Sequence, residues 1–236
     1  MNPFATLYNL VVQFFQYSLD LLFSFTGNYA LAIVLMTFIF NMLFLPQRIS
    51  QARGMKIVRL LQPKIDDINK RYKDDKEKAS KLTMELYSKY NYNPLAACGP
   101  LLLQLPLFWA ILEVFRSINF PEGAASAFLW IADISQVEPD FMGSPVKLLP
   151  LLAGAASYLQ SRATQQPSAN GAPASGDQMS QSMNIMLPFM MIFICWSQPA
   201  SLALYWTTNQ LMFGIQQLLI MRFIKVEIEA EDTILV

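Results

Sequence analysis

Thr37 and Asn41 lie four residues apart in an uncharged run that reads YALAIVLMTFIFNMLFLP. Side chains at that spacing share one face of a helix. Their chemistry is hydrogen bonding by a hydroxyl and an amide. Similar groups recur in other apolar stretches: Gln104, Gln160, Asn184, the series Thr207, Thr208, Asn209 and Gln210, and the pair Gln216 and Gln217. The chain has no histidine and two cysteines, Cys98 and Cys195. Histidine-based catalysis, His-containing zinc sites, four-thiolate metal sites and a disulfide framework are therefore excluded. There is no G-x-x-x-x-G-K-[ST] and no G-x-G-x-x-G signature for nucleotides. No Ser/Lys pair is placed for nucleophilic catalysis. Apart from Glu113 near an end, acids are missing from the apolar runs, which argues against a buried proton relay. The expectation is a protein that is not an enzyme and holds no cofactor and no metal.

The elements that carry these polar groups are greasy. Of 236 residues, 54% are hydrophobic and 14% charged, and 17 basic residues balance 17 acidic ones. A disordered chain needs the opposite composition. A helix crosses a bilayer in about 20 residues. Residues 21–47 and 90–112 are uncharged, and 178–221 are uncharged over a length of about two crossings. SQPAS at 197–201 supplies the turn between those two, because Pro199 breaks the helical ladder. A weaker candidate, LLPLLAGAASYLQS, lies between Lys147 and Arg162. Lys147 lengthens it by snorkelling to the interface. In the first 26 residues, Phe4, Leu7, Tyr8, Val11, Phe15, Ser18 and Leu22 fall at helical spacing, with Asn9, Gln13, Gln16 and Asp20 on another face. That is an amphipathic helix suited to a membrane interface, the alternative being a simple extension of the first span. No basic region opens it and no clear cleavage site follows, unlike a secretory signal peptide.

Residues 47–95 hold 12 of the 17 basic residues and only six acids. The positive-inside rule puts this segment in the cytoplasm. Alternation then gives a polytopic all-α membrane protein with five transmembrane helices, N-terminus outside and C-terminus inside. The expected order is an interfacial amphipathic helix at 1–26, spans at 27–47, 95–117, 146–162, 182–198 and 201–223, a cytoplasmic helical hairpin at 48–94, an external loop at 118–145, a flexible cytoplasmic loop at 163–181 and an acidic cytoplasmic tail at 224–236. This arrangement leaves 15 of the 17 basic residues inside. Within the hairpin, Ile57, Leu61, Ile65, Ile68 and Tyr72 form one apolar stripe, and Ala79, Leu82, Leu86 and Tyr90 another. KDDKEK at 73–78 is the turn between them. The hairpin is either a solvated linker that sets topology or a docking surface for a ribosome, a partner or anionic lipid. No direct DNA binding is expected. Cys98 and Cys195 read as small packing residues.

Polar groups inside spans have two readings. Scattered amides can glue helices together for about 1 kcal/mol each. Alternatively they line a hydrated cavity open on one side only, since on this topology they gather in the inner leaflet.

LQPKIDDINKRYKDD, MELYSKYNYNPLAACGPLLLQLPLFWAI, LLPLLAGAASYLQ, MNIMLPFMMIF and LALYWTTNQLMFGIQQ resemble the YidC/Oxa/Alb membrane insertases in order and spacing, from about residue 3 to residue 225. The resemblance implies the five-span fold, including its weak third span, in the bacterial cytoplasmic (inner) membrane. It implies an insertase and chaperone that takes nascent membrane proteins, alone or with the Sec translocon, without nucleotide hydrolysis of its own. The hydrophilic end of a client would enter a polar groove open to the cytoplasm and the lipid. The matched groove positions are Thr37, Asn41, Gln104, Gln160, Tyr205, Trp206 and Asn209. Many members carry an Arg four residues after the matching Thr; here that position is Asn41. The pattern also resembles the short form, without the large external domain, and the tail is not basic, so a ribosome contact would fall to residues 48–94. The competing classes are a small-solute transporter or channel, which needs a path to both faces, and an assembly scaffold that inserts nothing.

Overall fold

A computed structural model describes residues 3–93, 108–116, 126–164 and 177–224. Among these, all regular elements are helices. In chain order they are α1 (Pro3–Thr26), α2 (Tyr29–Leu43), α3 (Leu45–Arg71), α4 (Lys76–Lys89), a helical stretch α5 at 108–116, a 3₁₀ turn (Phe141–Gly143), α6 (Leu148–Thr164), α7 (Asp177–Trp196) and α8 (Ala200–Phe223). No single helix among the described residues is both long and apolar enough to cross a membrane by itself, but the pair Tyr8–Thr26 and Tyr29–Leu43 is, taken together across a bend of 119°.

The bend has a local cause. Gly27 has a φ of +64°, a left-handed conformation that costs glycine nothing. Asn28 then caps α2, its Oδ1 accepting from Leu31 N at 3.1 Å. α1 turns Phe15 and Leu19 into the core and leaves Leu10, Phe14, Tyr17, Leu21 and Phe25 exposed. That exposed row recurs every three or four residues, so one strip of the helix surface is greasy and largely exposed. The side chains of Phe4 and Leu7, read above as part of the apolar face, lie outside the described residues.

α6 packs against α7 and α8, and α8 against α2. At Gly154, α6 comes so close to α7 that a Cβ would run into the Ile192 side chain. The core gathers Phe15, Leu19, Tyr29, Ile33, Met36, Ile111, Phe115, Leu149, Cys195, Leu202 and Leu204 from six helices. The outward faces are also apolar: Leu31, Leu35, Phe38 and Ile39 of α2, Leu151, Leu152 and Leu159 of α6, Phe189 and Phe193 of α7, and Leu211, Ile215, Leu218 and Leu219 of α8 are all exposed. A soluble domain rarely displays so large a contiguous apolar surface.

One end of the bundle is closed by residues 126–147. Asn28 Nδ2 donates to Ala127 O at 2.9 Å. Ala200 N and Ser201 N donate to Gln136 O and Ile134 O at 2.8 and 2.9 Å. Glu138 is buried and caps α6, accepting from Leu148 N at 3.1 Å, Leu149 N at 2.8 Å and Trp130 Nε1 at 2.7 Å. A carboxylate there also meets the positive end of the helix dipole.

α3 and α4 leave the opposite end. Leu61, Ile65, Ile68, Ala79 and Leu86 form a second apolar cluster, flanked by Ile57, Tyr72, Leu82, Tyr87 and Tyr90. Both stripes read from the sequence therefore meet. The turn is tighter than KDDKEK: Asp75 caps α4 by accepting from Lys78 N at 3.0 Å, so the helix already runs through Lys76–Lys78. Burial pushes the Tyr87 hydroxyl above its ordinary range, with Tyr92 adding to the effect. α7 starts at Asp177, inside the stretch read as a loop at 163–181; DQMSQSMN contains no helix breaker. Residues 165–176 of that loop, most of the 95–117 stretch and the acidic tail beyond Ile224 lie outside the described residues.

Candidate functional site: a buried polar cluster at one end of the bundle

Polarity is divided along the helices. α2 buries Tyr29, Ala30, Ala32, Ile33 and Met36 in its first half, then Thr37 and Asn41. α8 buries Ala200 to Tyr205 at its start, apolar except for Ser201, then Thr207, Gln216 and Gln217. α6 adds Ser157 and Ser161 in its second half. Apart from Ser201, the buried polar groups of α2, α6 and α8 therefore lie towards the end from which α3 and α4 depart, away from residues 126–147.

Asn41 is the hub. It is 3% exposed. Its Nδ2 donates to Thr37 O at 2.8 Å and to Asn209 Oδ1 at 3.0 Å. Its Oδ1 accepts from Arg48 Nη2 at 3.1 Å, and its backbone carbonyl from Gln216 Nε2 at 3.2 Å. Thr37, 1% exposed, spends its hydroxyl on Ile33 O at 2.7 Å. Gln216 Oε1 and Gln217 Nε2 are buried with no hydrogen-bond partner. An unsatisfied buried amide is expensive, and such groups cluster where a ligand or water supplies the missing bond.

A second layer lies about one turn away. Trp206 Nε1 donates to Ser157 Oγ at 3.0 Å, which Gln210 Nε2 approaches at 3.5 Å. The Trp206 ring stands edge-on to Phe108 at 5.7 Å. Gln160 is half-buried, and its Cα faces Gly214, where α6 and α8 approach closely. Tyr205 is 7% exposed and belongs to the apolar core, its ring 5.9 Å from that of Phe115.

Of the residues singled out in the sequence, Thr37, Asn41 and Asn209 are joined directly by hydrogen bonds. Trp206 and Gln160 lie on the adjoining α6–α8 seam. Tyr205 faces the packed interior. Gln104 lies outside the described residues, as does the side chain of Asn184. Sequence reasoning missed Ser157 and Arg48. A signal for Arg48 existed in its spacing: it follows Asn41 by seven residues, two helical turns in a continuous helix. It read as the first cation of the hairpin. Its guanidinium instead lies over the Phe213 ring, 4.1 Å from the centroid. Two further cations tie α3 to the bundle: Lys56 Nζ donates to Ile224 O, and Arg59 Nη2 reaches Ala163 O at 3.4 Å. Among the described residues no group of acids, cysteines or histidines could hold a metal ion.

The family described as 60Kd inner membrane protein matches residues 21–228. A relative from Fusobacterium nucleatum, named membrane protein insertase YidC, is 35% identical over 92% of this chain and 97% of its own length. The chain belongs to this family. Other YidC insertases are longer. That of Geobacter sp. (strain M21) is 31% identical over 86% of this chain and 35% of its own length. That of Francisella tularensis subsp. novicida is 36% identical over 84% and 33%. The chain thus spans about a third of those two relatives. A crystal structure of an active YidC insertase with its first transmembrane domain resolved superimposes with a TM-score of 0.63 at 28% identity, over 88% of this chain and 45% of that one. The all-helical architecture is thus that of the YidC family, and its relatives' names support insertase function in a bacterial membrane.

Proposed function

We propose that this YidC-family chain inserts and folds membrane proteins by drawing the hydrophilic end of an incoming segment into a polar groove open to the cytoplasm and the lipid. It hydrolyses no nucleotide, and it works alone or with the Sec translocon. The groove residues of this reading are Thr37, Asn41, Gln104, Gln160, Tyr205, Trp206 and Asn209, of which Tyr205 packs on the core side against Phe115. One observation carries this reading: the buried side-chain amides Asn41, Gln216 and Gln217 gather at one end of a bundle whose outer surface is apolar. Amide partners and water in such a groove lower the cost of desolvating a client's polar residues part of the way across the membrane. The apolar flanks then receive its hydrophobic segment.

In this reading the chain crosses the membrane five times, with α3 and α4 in the cytoplasm, residues 126–147 outside and α1 in the outer interface. The hairpin, residues 48–94, is the candidate contact for the ribosome and for anionic lipid. A solute pathway would need to continue to the other face, where residues 126–147 tie together the ends of α2, α6 and α8. The test is reconstitution of the purified chain in proteoliposomes with a small single-span client. Protease-protected, membrane-integrated client is expected. Solute flux without insertion would sink the proposal.

A further inference from the structure

On the proposed topology 15 of the 17 basic residues lie inside, and the two that do not are Arg116 and Lys147. They are far apart in sequence, yet both reach the same place, the end of α7 where the chain turns into α8. Arg116 ends α5, and its Nε and Nη2 both donate to Gln198 Oε1, at 3.1 and 2.8 Å. Lys147 precedes α6. Its Nζ donates to Trp196 O at 2.8 Å and lies 5.7 Å from the centroid of the Trp196 ring. Both contacts lie at the surface, and both cations keep donors to spare. Among the described residues no carboxylate is within ion-pair distance of either, although Glu113 stands one turn before Arg116 and Asp140 shares the closing segment with Lys147. Capping the end of α7 explains one bond of Lys147. It does not explain a second cation anchored two residues away, because like charges repel. An anion between them removes that cost. Beside the pair runs an apolar strip. Met186, Phe189, Phe193 and Trp196 follow at three- and four-residue intervals on α7 and are exposed, Phe193 to 81%. The strip is about 15 Å long, and it ends at the ring that Lys147 faces.

We propose that Arg116 and Lys147 form a binding site for an anionic phospholipid, with the phosphate between the two cations at the α7–α8 turn and an acyl chain along the Met186–Trp196 strip of α7. Charge and apolar surface meet there in the order in which a lipid presents them, head and then tail. The guanidinium offers paired donors to phosphate oxygens, and the ammonium a point charge. Free phosphate would leave the strip bare. A zwitterionic lipid would cover the strip but bring a cation of its own to the pair, so the site selects a headgroup of net negative charge. The site uses the topology of the insertion reading but none of its client chemistry.

The test places a photo-reactive ring in the strip of the full chain, as Phe193→p-benzoyl-phenylalanine, in vesicles of equal parts phosphatidylglycerol and phosphatidylcholine. Mass spectrometry reads the ratio of the two lipids attached to the chain after illumination, in which the yield of protein cancels. Phosphatidylglycerol is expected to be enriched about fivefold or more, the weight of one cation beside an anionic headgroup. Arg116→Gln combined with Lys147→Gln should bring the ratio to that of the vesicle. Arg116→Lys combined with Lys147→Arg keeps both charges and should keep the enrichment. The same probe as Leu159→p-benzoyl-phenylalanine, towards the other end of α6, reports general attraction of anionic lipid and should not respond to the double Gln variant. Equal attachment of the two lipids at position 193, or an enrichment that survives the double Gln variant, overturns the site. A ratio that falls as far at position 159, or that falls equally in the charge-keeping pair, marks a general change of fold and overturns it as well. Loss of the enrichment on adding excess inorganic phosphate or an Asp-rich peptide would give the cations to that ligand and overturn the lipid assignment.

Discussion

At the residue scale, one asparagine organises the buried polarity. Asn41 uses both ends of its amide and its backbone carbonyl, and each bond goes to a different partner: Thr37, Asn209, Arg48 and Gln216. Asn41→Leu keeps the volume and removes every side-chain bond, leaving Asn209 Oδ1 and Arg48 Nη2 without that partner. The expected cost is about 1–3 kcal/mol, read as a lower unfolding temperature in detergent. Insertion of an acidic-tailed, Sec-independent client should fall with it; if Asn41→Leu inserts that client as well as the parent, Asn41 has no groove role. Much of this was legible in sequence. An amide in a greasy helix is costly enough to mark itself, and that rule flags Thr37, Asn41 and Asn209 among about a dozen polar groups, while the family resemblance singles them out as groove positions. Arg48 was hidden by its surroundings, the first of a dense series of cations whose usual place is water. α3 begins one residue after α2 ends, with only Phe44 between them and Arg48 N bonded to Phe44 O at 3.1 Å. A proline two residues earlier, at Pro46, suggests a break in sequence, but in the first turn of a helix it costs no hydrogen bond.

At the element scale, α6 was the least legible. It offers only a short uncharged stretch, yet it packs against both α7 and α8. Hydropathy undervalues it because its contacts rely on small residues: Gly154, Ala153, Ala156 and Ser157 let neighbouring helices approach. Gly154→Leu should therefore destabilise the α6–α7 pair by several kcal/mol, as overpacking of a close contact does. Combining it with Ile192→Ala should recover part of that loss, and thermal unfolding of the two single variants and the double variant measures the coupling. The hairpin was easier to read, because its two apolar stripes are amphipathic in water and obey simple helical periodicity. Residues 126–147 could not be read at all beyond being a loop. Their order comes from side chains and backbone meeting across distant positions, with Glu138 as the keystone. Glu138→Ala leaves Trp130 Nε1, Leu148 N and Leu149 N without their acceptor. The expected loss is about 1–3 kcal/mol, accompanied by a change in tryptophan emission as Trp130 loses its partner.

At the scale of the whole molecule, the distribution of polarity departs from that of a soluble protein: apolar groups cover the outside of the bundle and amides sit within. The sharp turn at Gly27–Asn28 gives this arrangement a sense of height. In the proposed topology α1 lies along the surface of the bilayer on its exposed apolar row, and α2 hangs from it as a plumb line of fixed length. From Asn28 to Asn41 that line measures about 20 Å. In a hydrocarbon layer of about 30 Å, the amide hub then hangs roughly 10 Å short of the far face. The depth at which a client first meets hydrogen-bonding partners is thus a property of one helix, while the layer to be crossed belongs to the lipid. Vesicles of longer acyl chains should widen that gap and slow insertion progressively, whereas lengthening α2 by one full turn should shift the optimum towards the thicker bilayer. Insertion rates across a series of acyl lengths would measure both effects, and an optimum indifferent to the length of α2 would count against the plumb line.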